Sequence, residues 1–229
     1  MQKEHSTLIA DFSVQGRLAY LSHQETLSFW QRILIRAQAP LVFSLGFNPR
    51  PRVSLALPRS VGVQSDCERL CAGVQTERFC LEASRRAIET LLPPGFVLTA
   101  MTVVPGRAAF YPAAAVYRFT LAEPPDAARQ RHIHYCIEQT HTAEPIVQER
   151  LLDKGRRRTV NIRPFIESLS IQEHIIEATC VVGGQGTVRM DELLRWLAVE
   201  PHELAEPIRR TSVRWVADTD HLQGVHTGL

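Results

Sequence analysis

Residues 6–40 read STLIADFSVQGRLAYLSHQETLSFWQRILIRAQAP, and this stretch decides the fold. Leu8, Ala10, Phe12 and Val14 recur at every second position, which predicts a strand with one apolar face. Gln15-Gly16 follows as a turn. Ser22-His23-Gln24-Glu25 then has the S-x-x-E form of a capping box, in which a hydroxyl and a carboxylate satisfy two free backbone N–H groups at a helix start. Leu27, Trp30, Ile33, Leu34 and Ala37 continue at helical spacing, and Pro40 stops the helix. The chain therefore opens strand, turn, helix.

The same period changes continue outward. Leu41–Ser44 is a short strand, and Val53–Leu57 with Arg69–Val74 gives a further strand pair. Residues 76–92 predict a helix with Phe79, Ala83, Ala87, Ile88 and Leu91 inward, ended by Pro93-Pro94-Gly95, and Phe96–Val104 is again a strand. Residues 106–112 read as a linker. Beyond them the order recurs: a strand at 116–121, a helix from Pro124-Pro125 to about Thr140, a strand at 145–150, a basic turn and further strand within 151–172, a strand at 175–182, a helix at 190–198 and a last strand at 211–217. Two helices on an antiparallel-rich sheet, twice over, predict an α+β protein of two ferredoxin-like βαββαβ-type units. Their expected extents are residues 1–108 and 113–218, with 219–229 a flexible tail.

With 229 residues, 45% hydrophobic and 22% charged, the chain has the composition of a globular protein able to bury a sizeable core. No apolar run reaches the roughly 18 residues of a membrane span, and the first residues lack the regions of a signal peptide. The five cysteines form no disulfide framework. A cytoplasmic location without membrane contact is expected. Cys67 and Cys71 are spaced like the first two ligands of CxxxCxxC, but Val74 stands in the third place, and a buried thiol in a strand is expected at Cys71. The histidines are scattered, so no metal site is expected.

The net charge is only +2, yet 24 of the 26 basic residues are arginine. GC-rich coding accounts for such a bias, and so does the use of planar guanidinium to grip phosphate. Residues 44–63 carry Arg50, Arg52 and Arg59 without an acid, and residues 154–163 carry Lys154, Arg156, Arg157, Arg158 and Arg163 without one. In SLGFNPRPRVSLALPRS, residues 44–60, Pro49 and Pro51 restrict their own φ and extend Asn48 and Arg50. If extended, Arg50 and Arg52 project to one side about 6.6 Å apart. The segment then reads as a stiff edge gripping phosphates, with Phe47 stacking on a base. The competing reading makes Phe47 a core plug and the arginines a solvated edge that resists aggregation. The two basic stretches could line one groove and favour a polyanion. His23, at the helix start, is a weak candidate for general acid or base. Gly183-Gly184-Gln185-Gly186-Thr187 before a helix is either a tight turn or an anion cradle.

The run YLSHQETLSFWQRILIRAQAPLVFSLGFNPRPRVSLALPRSVGVQSDCE, with NIRPFIESL, GQGTVRMDELLRWL and the closing IRRTSVRW, resembles the bacterial radical SAM-linked domain family of unknown function, in its stand-alone form. That family occurs fused after a radical SAM enzyme or as a separate protein. Glu25 stands where the family pattern has Asp, Met190 where it has Pro, and Arg50 where it often has His. The resemblance implies association with radical SAM chemistry. Because this chain lacks CxxxCxxC, the iron–sulfur cluster and S-adenosylmethionine are expected only on a partner enzyme, and no cofactor in this chain. The expected function is a non-catalytic accessory protein that binds RNA, a tRNA or ribosomal target, for a radical SAM partner. A protein adapter without RNA contact and a metal-independent RNA-processing enzyme are the alternatives.

Overall fold

The alternating stretch becomes β1 (His5–Val14), whose Leu8, Ala10, Phe12 and Val14 side chains are buried. These positions belong to a computed structural model that describes residues 5–151, 155–184 and 186–217. The capping box forms as expected. Ser22 Oγ accepts from the Glu25 N–H, and Glu25 Oε2 accepts from the Ser22 N–H at 2.8 Å, opening α1 (His23–Arg36). Trp30, Ile33 and Leu34 face the core, with Leu27 and Ala37 packed at its margin.

Two compact units are present. The first takes the chain up to Tyr111 and again from Trp215, and the second comprises Pro112–Arg214. In the first, β1 and α1 are followed by β2 (Val53–Leu55), β3 (Gln64–Gln75), α2 (Leu81–Leu91) and β4 (Phe96–Pro105). The strands lie side by side as β4, β1, β3, β2, all antiparallel to their neighbours. This 4-1-3-2 order is that of a ferredoxin-like βαββαβ unit. The helices cover one face, where Phe12 meets Trp30 at 4.6 Å between ring centres and Phe29 stacks on Phe96 at 4.6 Å.

Helix α2 is shorter than its sequence pattern, because residues 76–78 form a 3-10 turn. Its inward residues count from Leu81 in steps of three and four, so Ser84 is buried and Ala83 faces solvent.

The second unit contains all but the first two residues of β5 (Phe110–Thr120), then α3 (Ala127–Gln139), β6 (Val147–Leu151), β7 (Arg157–Asn161), β8 (Ile166–Gln172), β9 (Ile175–Val181), α4 (Met190–Trp196) and β10 (Arg209–Ala217) as far as Arg214. Its sheet runs β10, β5, β9, β8, the same order once β6 and β7 are set aside. Among the described residues those two strands pair only with each other, as a hairpin inserted between α3 and β8. The glycine and proline of residues 106–112 do not make a loose linker throughout, since β5 already begins at Phe110. Among the described residues no helix is long and apolar enough to cross a membrane.

Candidate nucleic-acid interface

After α1 the chain turns back on itself through the basic segment. Leu41 bridges to Val74 and Phe43 to Pro51, the Ser44 N–H donates to Arg50 O at 2.8 Å, and the Arg50 N–H donates to Ser44 Oγ at 3.0 Å. Leu45-Gly46-Phe47-Asn48-Pro49 is therefore the tip of a hairpin, not a flat sheet edge. Gly46, at φ +128°, makes the turn that a side chain would strain. The proline at each side of Arg50 stiffens the returning limb. At the tip Leu45 is 95% exposed and Phe47 wholly bare, so Phe47 is no core plug. Asn48, Arg50 and Arg52 are also exposed.

Arg52 has a fixed backbone and an open side chain. Its N–H donates to Val42 O at 2.8 Å and its carbonyl accepts from the Gly73 N–H at 2.9 Å. A Cβ at Gly73 would meet those of Val42 and Arg52 at 3.3 and 3.5 Å, so glycine lets three segments close up here. Beside them, on the first sheet's helix-free face, lies a groove of about 590 Å³ lined by His5, Thr7, Arg52, Ser54, Cys71 and Arg107 among others. Arg107 sits on a strap pinned to the sheet. Buried Thr7 Oγ1 donates to Gly106 O at 2.8 Å and accepts from the Ala108 N–H at 3.0 Å, while the Gly106 N–H donates to His5 O at 2.9 Å. Farther along this face the Arg69 guanidinium makes two 2.7 Å bonds to the Asp11 carboxylate. It also lies 4.9 Å from the centre of the Phe110 ring and 5.1 Å from that of Trp215.

Two predicted ligand-binding arginines are folding devices instead. Arg59 is buried, and its guanidinium donates to the carbonyls of Ala19 at 2.5 Å, Val63 at 2.6 Å and Leu21 at 3.2 Å. It cross-links the turn before α1 to the loop before β3 and has no face for a phosphate. Arg163 donates to the carbonyls of Thr142 and Ile166, each at 2.9 Å, and to that of Thr140. Lys154 lies outside the described residues. Arg156, Arg157 and Arg158 are exposed on or beside the β6–β7 hairpin, where Arg157 meets Glu149 at 3.0 Å. This hairpin and the 41–52 hairpin occupy the same connection in their units, between the first helix and the second strand of the main sheet.

The weaker candidates gain no support. His23 occupies the first position of α1, and no acid or base is hydrogen-bonded to it among the described residues. Gly183 and Gly186 exchange backbone hydrogen bonds of 3.2 and 2.9 Å, which makes a tight turn. The start of α4 beyond that turn already holds the Glu192 carboxylate on the Arg189 N–H at 2.9 Å, so it offers no anion cradle. Cys67 and Cys71 stand four residues apart along β3, about 13 Å by strand rise, too far to share one cluster. Burial pushes the Cys71 thiol up to about 11, so it is no nucleophile at neutral pH. Among the described residues no three His, Cys, Asp or Glu side chains converge on a metal position.

Sequence reasoning missed Leu45, Thr7 and Arg107. The signal for Leu45 was its place beside Gly46 in a turn, where an apolar side chain has nothing to pack on. Arg107 carried no local signal, because only the strap's return to β1 brings it to the groove. Also missed was the buried pair of Arg150 and Glu192, joined at 2.6 and 2.8 Å, which holds the β6–β7 hairpin to α4.

Residues 8–190 match the family described as "Uncharacterized protein conserved in bacteria (DUF2344)". No curated protein matches the chain. Among solved structures, one described as "Crystal Structure of a Cbf5-Nop10-Gar1 Complex" aligns over 90% of this chain at 15% identity with a TM-score of 0.42. The chain spans 48% of that structure's matched chain, about half its length.

Proposed function

We propose, since the chain belongs to this family of uncharacterized proteins conserved in bacteria, that it is an accessory protein that binds single-stranded RNA and works with a radical SAM partner enzyme. The observation that carries the RNA reading is the bare Phe47 at the tip of a proline-stiffened hairpin with Arg50 and Arg52 on its returning limb. Base stacking on an aromatic ring is worth about 1–3 kcal/mol, and a rigid limb loses little entropy on meeting phosphates. The radical SAM partnership rests on the G-F-N-P-R-P-R and N-I-R-P motifs and their resemblance to radical SAM-linked domains. On this reading the cluster belongs to the partner, since Val74 stands where a third cysteine would be.

The test is fluorescence anisotropy with a labelled single-stranded RNA across a salt series. Affinity should fall with salt, because phosphate contacts release counterions. Phe47→Ala should weaken binding about 5- to 150-fold, and Arg50→Ala with Arg52→Ala should reduce the salt slope by about 2. Binding that is absent, or indifferent to all three residues, would overturn the RNA reading.

Leu45 and Phe43 favour a second reading, in which the tip docks into an apolar pocket of the partner protein. Phe43 is 44% exposed and Leu45 95%, and the Leu45 side chain has no ring on which a base could stack. Co-purification with a radical SAM enzyme that is lost on Leu45→Ser, with RNA affinity unchanged, would select that reading.

A further inference from the structure

The groove beside Arg52 has its own chemistry, separate from the hairpin tip. Its basic side chains are His5, Arg52 and Arg107, and among the described residues no Asp or Glu lines it. Neither arginine side chain has an ion-pair partner or a hydrogen bond among the described residues, although both backbones are fixed. Arginines placed by their backbones and left without a counter-charge suit an anion such as phosphate, two of whose oxygens can accept from one planar guanidinium. Ser54 adds a hydroxyl, and Val42, Val53 and Ala108 add apolar wall. A volume of about 590 Å³ falls within the range of small-molecule sites and exceeds what a lone phosphate fills.

We propose that this groove binds one nucleoside monophosphate, free or as a residue of an RNA strand. Its phosphate lies between Arg52 and Arg107, and its base lies on the apolar wall. The strap of residues 106–108 is then a positioning device, since the Thr7 hydroxyl holds it at both ends of Arg107. Within RNA, the inference rests on the proposed function, but the free nucleotide tests it independently.

The experiment is isothermal titration of the full chain with UMP, AMP and inorganic phosphate. It is paired with competition of UMP against labelled single-stranded RNA. The expected result is saturable binding of a nucleotide at one site, at least tenfold tighter than inorganic phosphate. Arg107→Ala should weaken it at least tenfold and Arg107→Lys less, because an ammonium cannot bond in a fork. Arg107 is exposed, and its side chain makes no hydrogen bond or ion pair among the described residues, so both variants should melt with the native protein. Ser54→Phe, at an exposed floor position, should abolish binding by filling the groove. Phe47→Ala should leave UMP binding unchanged. Nucleotide binding without RNA binding would support the groove and sink the RNA reading. RNA binding that neither UMP nor Arg107→Ala disturbs would overturn the groove as a site for a residue of RNA and spare the RNA reading. No nucleotide binding, or phosphate binding as tight as UMP, would overturn the inference.

Discussion

Replacing Arg59 should unfold the first unit more readily than any exposed arginine could. In Arg59→Met the stem volume is kept, but the carbonyls of Ala19, Val63 and Leu21 lose their donor. The bonds to Ala19 and Val63, at 2.5 and 2.6 Å, lie in the buried interior, where water does not readily replace the guanidinium. Hydrogen bonds to a charged group contribute about 1.5–3 kcal/mol each, so two of them amount to about 3–6 kcal/mol. Removing a buried charge relieves part of this, and the expected net loss is about 3–4 kcal/mol. Arg59→Lys, which keeps the charge without the planar fork, should lose roughly half as much. Arg52→Met, at an exposed side chain, should stay within about 0.5 kcal/mol of the native protein. Urea unfolding followed by far-UV circular dichroism measures all three, and the midpoint shift is converted through the common slope. An Arg59→Met protein within about 1 kcal/mol of native would refute the clamp.

Three further outcomes follow from the geometry. Arg150→Leu leaves the fully buried Glu192 carboxylate without its cation and should cost about 3–5 kcal/mol in the same assay. Adding Glu192→Leu should recover most of that loss, and no recovery would show that the pair is not the source. Burial raises the thiols of Cys71, Cys136 and Cys180 to about 11, 12 and 12, so all three should resist a thiol reagent at pH 8 until the protein unfolds, while exposed Cys80 reacts at once. Fast labelling of all five would contradict the packing. The Ser22 hydroxyl and backbone N–H hold the Glu25 carboxyl below its usual range. A carboxyl lowered by folding stabilises in full above its unfolded value of about 4.3 and ceases to do so as pH falls through the lower folded value. Melting from pH 6 to pH 3 should therefore show a shallower acid loss in Glu25→Gln, whose neutral amide still caps. An unchanged slope would remove Glu25 from the linkage.

The ferredoxin-like order was legible because its signals are local. Leu8 to Val14 alternate, Ser22 and Glu25 close a box over one turn, and Trp30, Ile33 and Leu34 share a helical stripe. The β6–β7 hairpin was not legible as a separate ribbon, because VQERL and RRTVN carry too little apolar surface to reveal which strand they pair with. Arginine was the least legible of all. A guanidinium that clamps carbonyls and one that stands open to solvent have the same sequence context, and only folding separates Arg59 from Arg52. Part of the arginine excess over lysine has this structural use, since Arg59, Arg163, Arg189 and Arg195 all donate to backbone carbonyls.

The same distinction sorts the two motifs that carry the family resemblance. In N-I-R-P, Asn161 Oδ1 accepts from the N–H groups of Ile146 at 2.9 Å and Arg163 at 3.1 Å, Ile162 is buried, and the Arg163 guanidinium is taken by carbonyls. Both polar side chains of that motif bond to the second unit's own backbone, so folding accounts for them. G-F-N-P-R-P-R has the opposite character. Its backbone is closed by Ser44, Arg50, Arg52 and Gly73, but Phe47, Asn48, Arg50 and Arg52 face solvent. A turn needs the glycine and tolerates the prolines, but it requires neither a bare aromatic ring nor two guanidinium groups beside it. What folding leaves unexplained in that motif is an aromatic ring and two guanidinium groups, the types of group suited to stacking on bases and bonding to phosphates, and mutagenesis should begin there.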